Sequence, residues 1–172
     1  MSNFKEDLLN VKAFAFDVDG VFSGNILLSS SGEQLRPMNM KDGYAVQFAV
    51  KKGFTIAIIS GGTCESIKKR FSNLGVKDIY IASSDKMKDY EAFLNKNNLS
   101  SADVLYMGDD LPDYYVMKKV GVPTCPADAA SDIKAISKYI SNIKGGEGCV
   151  RDVIEQVLRA QGKWMDTDAF HW

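Results

Sequence analysis

The sequence has few of the residues on which several common mechanisms depend. Its single histidine, His171, stands next to the last residue, so a histidine nucleophile or a Ser-His-Asp triad would have to recruit it from the tail. The three cysteines, Cys64, Cys125 and Cys149, are scattered and form no Cys-x-x-Cys pair. This pattern argues against a disulfide framework and against a structural zinc site.

The sequence also lacks long apolar runs and an excess of one charge. No apolar stretch approaches the ~20 residues that a membrane-spanning helix needs, and the N-terminus lacks the apolar core of a signal peptide. The formal net charge is −1, so no basic field indicates binding to nucleic acid or to an anionic membrane. With 172 residues, of which 45% are hydrophobic, we expect one cytoplasmic globular domain over residues 1–172.

The most informative stretch is residues 13–21, where a short apolar run ends in two carboxylates and a glycine. Such a run is typical of a buried strand in a parallel sheet, and such sheets bind ligands outside the carboxyl ends of their strands. Asp17 and Asp19 would then lie in that crevice, where Gly20 allows a sharp turn. One carboxylate could act as nucleophile through a covalent intermediate and the other as general acid and base. An acidic turn without a catalytic role is the alternative interpretation.

Two further polar groups follow later strands. Ser60, Gly61 and Gly62 stand after an apolar run, where a hydroxyl and two glycine amides can hold a phosphate. Lys86 opens a predicted helix, the unfavourable end of the helix dipole for a cation, which indicates that it neutralises an anion. An ordinary turn and a solvated lysine are the respective alternatives.

A third polar group is the acidic segment that contains Asp109, Asp110 and Asp113. Carboxylates brought close to Asp17 repel one another unless a cation lies between them, and hard oxygen ligands suit Mg²⁺. Asp113 could instead brace the loop. A nucleophile, an acid and base, phosphate donors, a cation and a metal together make a phosphoryl-transfer site.

Strands and helices alternate from residue 54 onwards, which predicts a Rossmann-like α/β fold with a central parallel sheet and helices on both faces. Predicted strands are 54–59, 78–81, 103–107, 122–125 and 139–140. Predicted helices in this part are 63–74, 87–95, 111–119, 131–138 and 150–161.

The ends of the chain and the segment before residue 54 complete the predicted architecture. A short amphipathic helix is expected over residues 1–12, a β-hairpin over about 24–40, and an aromatic tail over about 162–172. Asp42 is the predicted N-cap of a helix over residues 44–52. The intervals between the motifs leave no room for a separate cap domain, so the hairpin or the tail would have to cover the site.

The order of these motifs resembles the haloacid dehalogenase (HAD) superfamily of phosphatases. The resemblance implies that Asp17 is the nucleophile and a Mg²⁺ ligand. It implies that Asp19 is the general acid and base and binds the metal through its backbone carbonyl, and that Asp109 is a metal ligand. Ser60 and Lys86 would bind phosphate in that family. The neighbouring acids, Asp110 and Asp113, would support the metal site without binding the ion.

Further details resemble one branch, the 3-deoxy-D-manno-octulosonate 8-phosphate (KDO8P) phosphatases. The similarity lies in the hairpin and in residues 41–44, 108–113, 145–151 and 160–162. It implies hydrolysis of KDO8P through an aspartyl-phosphate, in lipopolysaccharide precursor synthesis. It also implies a homotetramer whose hairpins associate and whose neighbouring subunits close each site, and we expect both the hairpin and the C-terminal tail to lie at subunit interfaces.

This chain departs from the branch at one position, so the identity of its substrate is not decided by the resemblance. Branch members often carry Arg where this chain has Gly62, and relatives acting on nine-carbon keto-sugar acid phosphates often carry Glu there. KDN-9-phosphate and N-acylneuraminate-9-phosphate therefore remain alternative substrates. Lys41, Arg36 and Arg151 are the cations we expect to bind a substrate carboxylate, from the same or an adjoining subunit.

Three rival functions compete with hydrolysis of this kind. Cys64 and Arg70 have the C-x₅-R spacing of cysteine phosphatases, but the residues between them predict a helix rather than a phosphate loop. A receiver-type signalling domain uses a similar set of groups, yet it lacks a general acid at the position of Asp19. A catalytically idle oligomerisation module is the third alternative, and the complete set of motifs disfavours it.

Overall fold

The structure, a computed structural model, describes residues 3–170. The predicted start of the first helix, the predicted end of the tail and the question of a role for His171 therefore lie outside the described residues. The strands are β1 (Ala13–Phe16), β2 (Leu27–Leu28), β3 (Gln34–Leu35), β4 (Thr55–Ile59), β5 (Asp78–Tyr80), β6 (Val104–Met107), β7 (Val122–Cys125) and β8 (Tyr139–Ile140).

The helices after the hairpin match the predicted ones, with ends that differ by a few residues, whereas the described part of the first predicted helix is an α-helix of four residues followed by a 3₁₀ turn. They are α1 (Phe4–Asp7), α2 (Met40–Lys51), α3 (Glu65–Asn73), α4 (Lys86–Asn97), α5 (Tyr114–Lys119), α6 (Ser131–Ile136) and α7 (Cys149–Ala160). Short 3₁₀ turns cover Leu8–Asn10, Ser101–Asp103, Leu111–Asp113 and Thr167–Phe170. No helix within residues 3–170 is both long and apolar enough to cross a membrane.

The central sheet has six parallel strands in the order β5-β4-β1-β6-β7-β8. Phe16, at the end of β1, is level with Ile58 on β4 and Met107 on β6. Asp17 then donates its backbone N–H to the Met107 carbonyl at 3.1 Å. The carboxyl ends of the three middle strands thus stop at one edge, which is where the predicted motif residues follow.

The alternation of β1 divides the core into two halves. Phe14 and Phe16 pack on one face with α2, α3 and α7, whereas Ala13 and Ala15 pack on the other with α4, α5 and α6. All four side chains are fully buried, as expected for a strand covered on both faces. The predicted three-layer α/β/α architecture is therefore confirmed.

The predicted hairpin is present between β1 and α2. Its two strands are antiparallel, with Leu27 opposite Leu35, and both side chains are exposed. Between residues 17 and 39 the described chain forms only this hairpin and a preceding tight loop. The insertion is too small to be a separate cap domain, as the sequence predicts.

The predicted N-cap of α2 is wrong. Asn39, not Asp42, caps this helix, because its side chain accepts the Lys41 N–H at 2.8 Å. Asp42 is fully buried, and its Oδ1 accepts the Arg151 N–H at 2.7 Å in the first turn of α7. The residue before α7 is Gly148, which has no side chain to offer. Asp42 therefore supplies the cap that α7 lacks, and it joins the two helices.

The C-terminal tail folds back on α2 and α7. Trp164 packs edge-to-face on Phe48 with ring centroids 5.4 Å apart, and the Arg151 guanidinium lies 5.1 Å from the Trp164 ring. Lys52, just after α2, pairs with Asp168 at 2.6 Å. These contacts hold the tail on the helical face of its own chain.

The burial of Asp42 makes stability depend on pH. Burial raises the pKa of Asp42 to about 6, although the Arg151 N–H and the Arg151 charge act in the opposite direction. A carboxyl with a raised pKa holds its proton more tightly when folded. The stability that it contributes is therefore largest near pH 4, falls as the pH rises to about 6, and stays low above that.

We therefore predict that Asp42→Asn, which keeps an oxygen to cap α7, gains stability over wild type as the pH rises. The free energy of unfolding of the variant minus that of wild type should be about 1–3 kcal/mol larger at pH 7.5 than at pH 4. Urea denaturation at both pH values measures this difference. Asp132→Asn, at an exposed position of α6, is the control and should show no such change. A difference between wild type and Asp42→Asn that is equal at both pH values would contradict the prediction.

Candidate active site

A cleft of about 1040 Å³ opens at the carboxyl edge of the sheet. It is formed by the loops after β1, β4 and β6 and by the start of α4, so four separate parts of the sequence meet there. Eight of the predicted site residues line it. These are Asp17, Asp19, Ser60, Gly61, Gly62, Lys86, Asp109 and Asp110.

Lys86 lies between two acidic side chains in this cleft. Its Nζ is 2.8 Å from Asp17 Oδ2 and 2.8 Å from Asp113 Oδ1, and all three residues are buried. Burial alone would lower the pKa of Lys86, but the charges of Asp113 and Asp17 outweigh it and raise the pKa. The lysine therefore stays charged, which fits the interpretation of its unfavourable position at the start of α4.

Asp113 braces the loop after β6. Its Oδ1 accepts the Tyr106 hydroxyl at 2.6 Å as well as Lys86, and its Oδ2 accepts the Asp109 N–H at 3.2 Å. Both oxygens are therefore engaged by protein groups. This arrangement matches the bracing role that the sequence left open for Asp113.

Tyr106 is the supporting residue that sequence reasoning missed. It lies in β6, is fully buried, and reads in the sequence as one more large apolar residue of a strand. Burial, followed by the charges of Asp113 and Asp17, raises its pKa well above the ordinary range, so the hydroxyl keeps its proton and donates a hydrogen bond to Asp113. Nothing in the local pattern distinguishes it from the neighbouring core residues.

The cleft concentrates negative charge. Oxygens of Asp17, Asp109 and Asp113 all lie within 4.8 Å of one another. Burial and the Asp113 charge raise the pKa of Asp17 to about 7 despite Lys86, and burial with the Asp17 and Asp113 charges raises the pKa of Asp109 to about 7. This crowding is relieved when the site gains a proton or a metal cation.

Glycines in two loops, the one after β1 and the one before α7, allow the Asp109 carboxylate to pack against the backbone at Gly20. Gly20 has φ 87°, and a Cβ there would overlap the Asp109 carboxylate. Gly145 packs so closely on the Gly20 carbonyl that a side chain at position 145 would collide with it. The Gly146 N–H donates to the Val21 carbonyl at 2.8 Å. The loop before α7 therefore supports the first acidic loop from behind.

The loop after β4 has the form expected of a phosphate-binding turn. Ser60 is buried, its N–H donates to the Tyr80 carbonyl at 2.9 Å, and its Oγ accepts the Gly62 N–H at 3.1 Å. These bonds fix the hydroxyl at the cleft wall, beside the end of β5. Gly61 and Gly62 leave that wall free of side chains.

Asp19 is paired with an arginine from the hairpin. Arg36 Nε donates to Asp19 Oδ1 at 2.7 Å and Arg36 Nη2 to Asp19 Oδ2 at 3.1 Å. The guanidinium lies beside Gly62, where an added Cβ would be 3.3 Å from Nη2. The structure thus brings Arg36 to the site, but as a partner of Asp19.

The other two predicted cations lie elsewhere in the chain. Lys41 is at the exposed start of α2, and Arg151 stacks on Trp164 at the tail. Neither residue lines the cleft of its own chain. Asp110 does line it, and its Oδ1 accepts the Leu111 N–H at 2.8 Å to begin the 3₁₀ turn.

Comparison with known proteins agrees with this geometry. KdsC of Salmonella typhi, named 3-deoxy-D-manno-octulosonate 8-phosphate phosphatase, is 37% identical over 155 residues, which cover 90% of this chain and 82% of that protein. The chain belongs to the KDO8P phosphatase family. A family model described as haloacid dehalogenase-like hydrolase matches residues 77–151.

Solved structures of this family share the fold. The KDO8P phosphatase of Yersinia pestis has a TM-score of 0.91 at 34% identity, covering 94% of this chain and 88% of that one. That of Moraxella catarrhalis has a TM-score of 0.91 at 31% identity, covering 99% and 97%. The Moraxella structure is a complex with a magnesium ion, a phosphate ion and KDO.

The acidic side chains suit a divalent cation. Asp109 makes no side-chain hydrogen bond or ion pair within residues 3–170, although it lies beside Asp17, which has one oxygen on Lys86 and one on the Val18 N–H. An unpaired carboxylate next to a second one, in a half-buried position, is the donor set that a hard cation satisfies. Asp17 and Asp109 are the side chains that would hold it.

We predict that this crowding is visible in thermal stability. Without metal, Asp109→Asn should melt higher than wild type by a few degrees, because it removes a carboxylate that its neighbours repel. Added MgCl₂ should raise the melting temperature of wild type and leave that of Asp109→Asn nearly unchanged. Asp110→Asn is the adjacent control and should keep most of the magnesium response. An equal response of both variants would contradict the assignment of Asp109.

Proposed function

We propose that this protein is a Mg²⁺-dependent phosphatase that hydrolyses KDO8P to KDO and phosphate, a step in lipopolysaccharide precursor synthesis. The observation that carries the proposal is the meeting of Asp17, Asp19, Lys86 and Asp109 in one cleft of a chain that belongs to this family. The assignments of residues 1–172 to a single domain and of the reaction to the cytoplasm stay predictions.

In the first half of the reaction Asp17 is the nucleophile. An Asp17 carboxylate oxygen attacks phosphorus, and the bond from phosphorus to the sugar oxygen breaks. Asp19 gives its proton to that sugar oxygen, so the sugar leaves as an alcohol and the phosphoryl group stays on Asp17. Lys86, Ser60 and the glycine amides of that loop bind the phosphoryl oxygens.

In the second half a water molecule replaces the sugar. The Asp19 carboxylate takes a proton from the water as its oxygen attacks phosphorus. The bond from phosphorus to Asp17 breaks, which restores the Asp17 carboxylate and releases phosphate. Asp19 ends the cycle protonated, ready for the next substrate.

The metal site we propose consists of Asp17, Asp109 and the backbone carbonyl of Asp19, with Asp110 and Asp113 supporting it. Bound Mg²⁺ would neutralise the charge of the phosphoryl group and of the two carboxylates. The fit rests on the unpaired Asp109 carboxylate and on its closeness to Asp17. Without a metal ion, the charges of Asp17 and Asp109 would oppose the approach of an anionic substrate.

Asp19 also favours hydrolysis over signalling. A receiver domain keeps its phosphoryl group because it has no acid and base at this position, whereas Asp19 lines the same cleft as Asp17 here. The Cys64 alternative is weaker still. Cys64 precedes α3, whose helical backbone between Cys64 and Arg70 cannot turn its amides towards a phosphate.

The expected substrate class is a sugar-acid phosphate, with the nine-carbon acids as the alternative to KDO8P. Comparing kcat/KM for eight- and nine-carbon 2-keto-3-deoxy acid phosphates decides between them. Arg36 is the carboxylate-binding candidate within one chain. Lys41 and Arg151 could serve only from a neighbouring subunit.

A homotetramer built through the hairpins would cover the cleft. Leu27 and Leu28 are 53% and 72% exposed on a two-stranded ribbon with unpaired edges, which favours pairing with another chain. Ile26, beside them, lines the cleft mouth. Since the described tail is held on α2 and α7, we propose the hairpin, and not the tail, as the lid.

We predict that Asp17→Asn and Asp19→Asn each abolish phosphate release from KDO8P. Loss of the nucleophile or of the acid should lower kcat at least ~10³-fold, with KM nearly unchanged. A malachite-green assay with MgCl₂ measures this, and Asp132→Asn, outside the cleft, is the control. Activity retained by Asp17→Asn would overturn the assignment of the nucleophile.

We predict that Leu28→Glu disrupts the tetramer, because it places a charge on an apolar subunit contact. Light scattering after size-exclusion chromatography should show a tetramer for wild type and smaller species for the variant, which should also lose activity. Leu9→Glu is the matched control, since Leu9 is 58% exposed but belongs to the turn after α1 and not to the hairpin. A fully active wild-type monomer would refute the hairpin lid.

A further inference from the structure

The pairing of Arg36 with Asp19 is a constraint on catalysis. Each Asp19 oxygen accepts a guanidinium N–H, at 2.7 Å and 3.1 Å. A forked pair of this kind occupies both oxygens of the carboxylate. The pair fixes the orientation of the carboxylate, so it has to open before Asp19 can turn towards the leaving oxygen or a water molecule.

The surroundings of Arg36 show that its guanidinium can take another anion. Its side chain is only 5% exposed, although it comes from a hairpin whose other side chains are largely exposed. Nη1 is buried and has no hydrogen-bond partner in the described part of the chain. A buried donor without an acceptor is unfavourable, so an incoming anion would be stabilised there.

The position of the guanidinium is next to the phosphate-binding loop. It rests against Gly62, and a Cβ at that position would be 3.3 Å from Nη2 and 3.2 Å from Ile67 Cδ1. Because glycine leaves this space open, the arginine can reach across the loop to Asp19. The Arg36 guanidinium therefore contacts the proposed acid, Asp19, and lies beside Gly62 of the proposed phosphate-binding loop.

We propose that Arg36 is an exchangeable clamp on Asp19 that the carboxylate of the substrate releases. This inference rests on the proposed function, since it assumes that Asp19 is the acid and that the substrate is a sugar acid. In the resting enzyme Arg36 holds Asp19. When a sugar-acid phosphate binds, its carboxylate takes the place of Asp19 on the guanidinium, and Asp19 turns to the leaving oxygen.

The exchange is balanced in its interactions. One forked guanidinium–carboxylate pair is lost and one is gained, and the buried charge of Arg36 remains paired throughout. A neutral sugar phosphate has no carboxylate to offer, so it would leave Asp19 clamped even when its phosphate is correctly bound. The clamp would therefore select substrates through kcat as well as through KM.

The test compares two substrates and one variant. Wild type and Arg36→Gln are assayed with KDO8P and with a neutral hexose 6-phosphate, which has a similar primary leaving group but no carboxylate. With KDO8P, Arg36→Gln should lose about 10–100-fold in kcat/KM, because the substrate loses a charge-assisted partner. With the hexose phosphate, the same variant should gain about 10-fold in kcat, because Asp19 is no longer held.

Two further variants separate the clamp from simpler roles. Arg36→Lys keeps the charge but cannot fork onto both oxygens, so it should restore much of the KM for KDO8P while keeping the raised kcat for the hexose phosphate. Lys68→Gln, an exposed cation on α3, controls for the loss of charge and should change neither substrate. The oligomeric state of each variant is checked by light scattering.

The outcomes are distinct. A parallel loss of activity on both substrates would mean that Arg36 only positions the hairpin or Asp19, and a loss on KDO8P alone would mean that it only binds the carboxylate. Either result overturns the clamp, as does a wild type that hydrolyses the hexose phosphate as fast as the acid phosphates. Failure of the proposed function is seen separately, in wild type, as no phosphate release from KDO8P.

Discussion

The rest of the site depends on the ion pairs that the buried Lys86 makes with Asp17 and Asp113. Three carboxylates whose oxygens lie within 4.8 Å of one another cannot all be charged in a half-buried cleft without compensation. Lys86 neutralises one side of the group, and Tyr106 supports Asp113 from the core. The side that remains, at Asp109, is where a cation is needed.

The order of the strands in the parallel sheet is what brings these groups together. β1 lies between β4 and β6, so the residues that follow these strands are neighbours although they are far apart in the sequence. Lys86 is the first residue of a fourth element, α4, and its buried side chain contacts Asp17 and Asp113. A cation at the start of a helix, which is unfavourable for the helix itself, is here explained by its partners in the cleft.

Most of the fold and most of the cleft could be predicted from the sequence, because they depend on local patterns. Apolar runs bounded by glycine give the strands, and each motif follows directly from a strand end. The predicted N-cap of α2 is wrong, since Asn39 and Asp42 are both good caps and only the packing of α7 on α2 decides between them. Pairwise competition of this kind is invisible without the tertiary structure.

The contacts that escaped prediction join side chains across the sheet or across the hairpin. Tyr106 reads as a core residue, and its hydroxyl acquires meaning only when Asp113 folds over it. The sequence places Arg36 near the substrate, but its pairing with Asp19 depends on how the hairpin bends back over Gly62. Such contacts require the relative placement of elements, which periodicity does not encode.

The close packing of Gly145 on Gly20 limits how far this protein can be shortened. The proposed catalytic and metal-binding residues all lie before residue 114, so a fragment ending there would retain each of them. It would nevertheless lose the backbone wall that holds the Asp19–Gly20 turn in place, together with the helix that Asp42 caps. The last third of the chain thus fixes the backbone conformation of the first motif, even though it contributes no reacting group of its own.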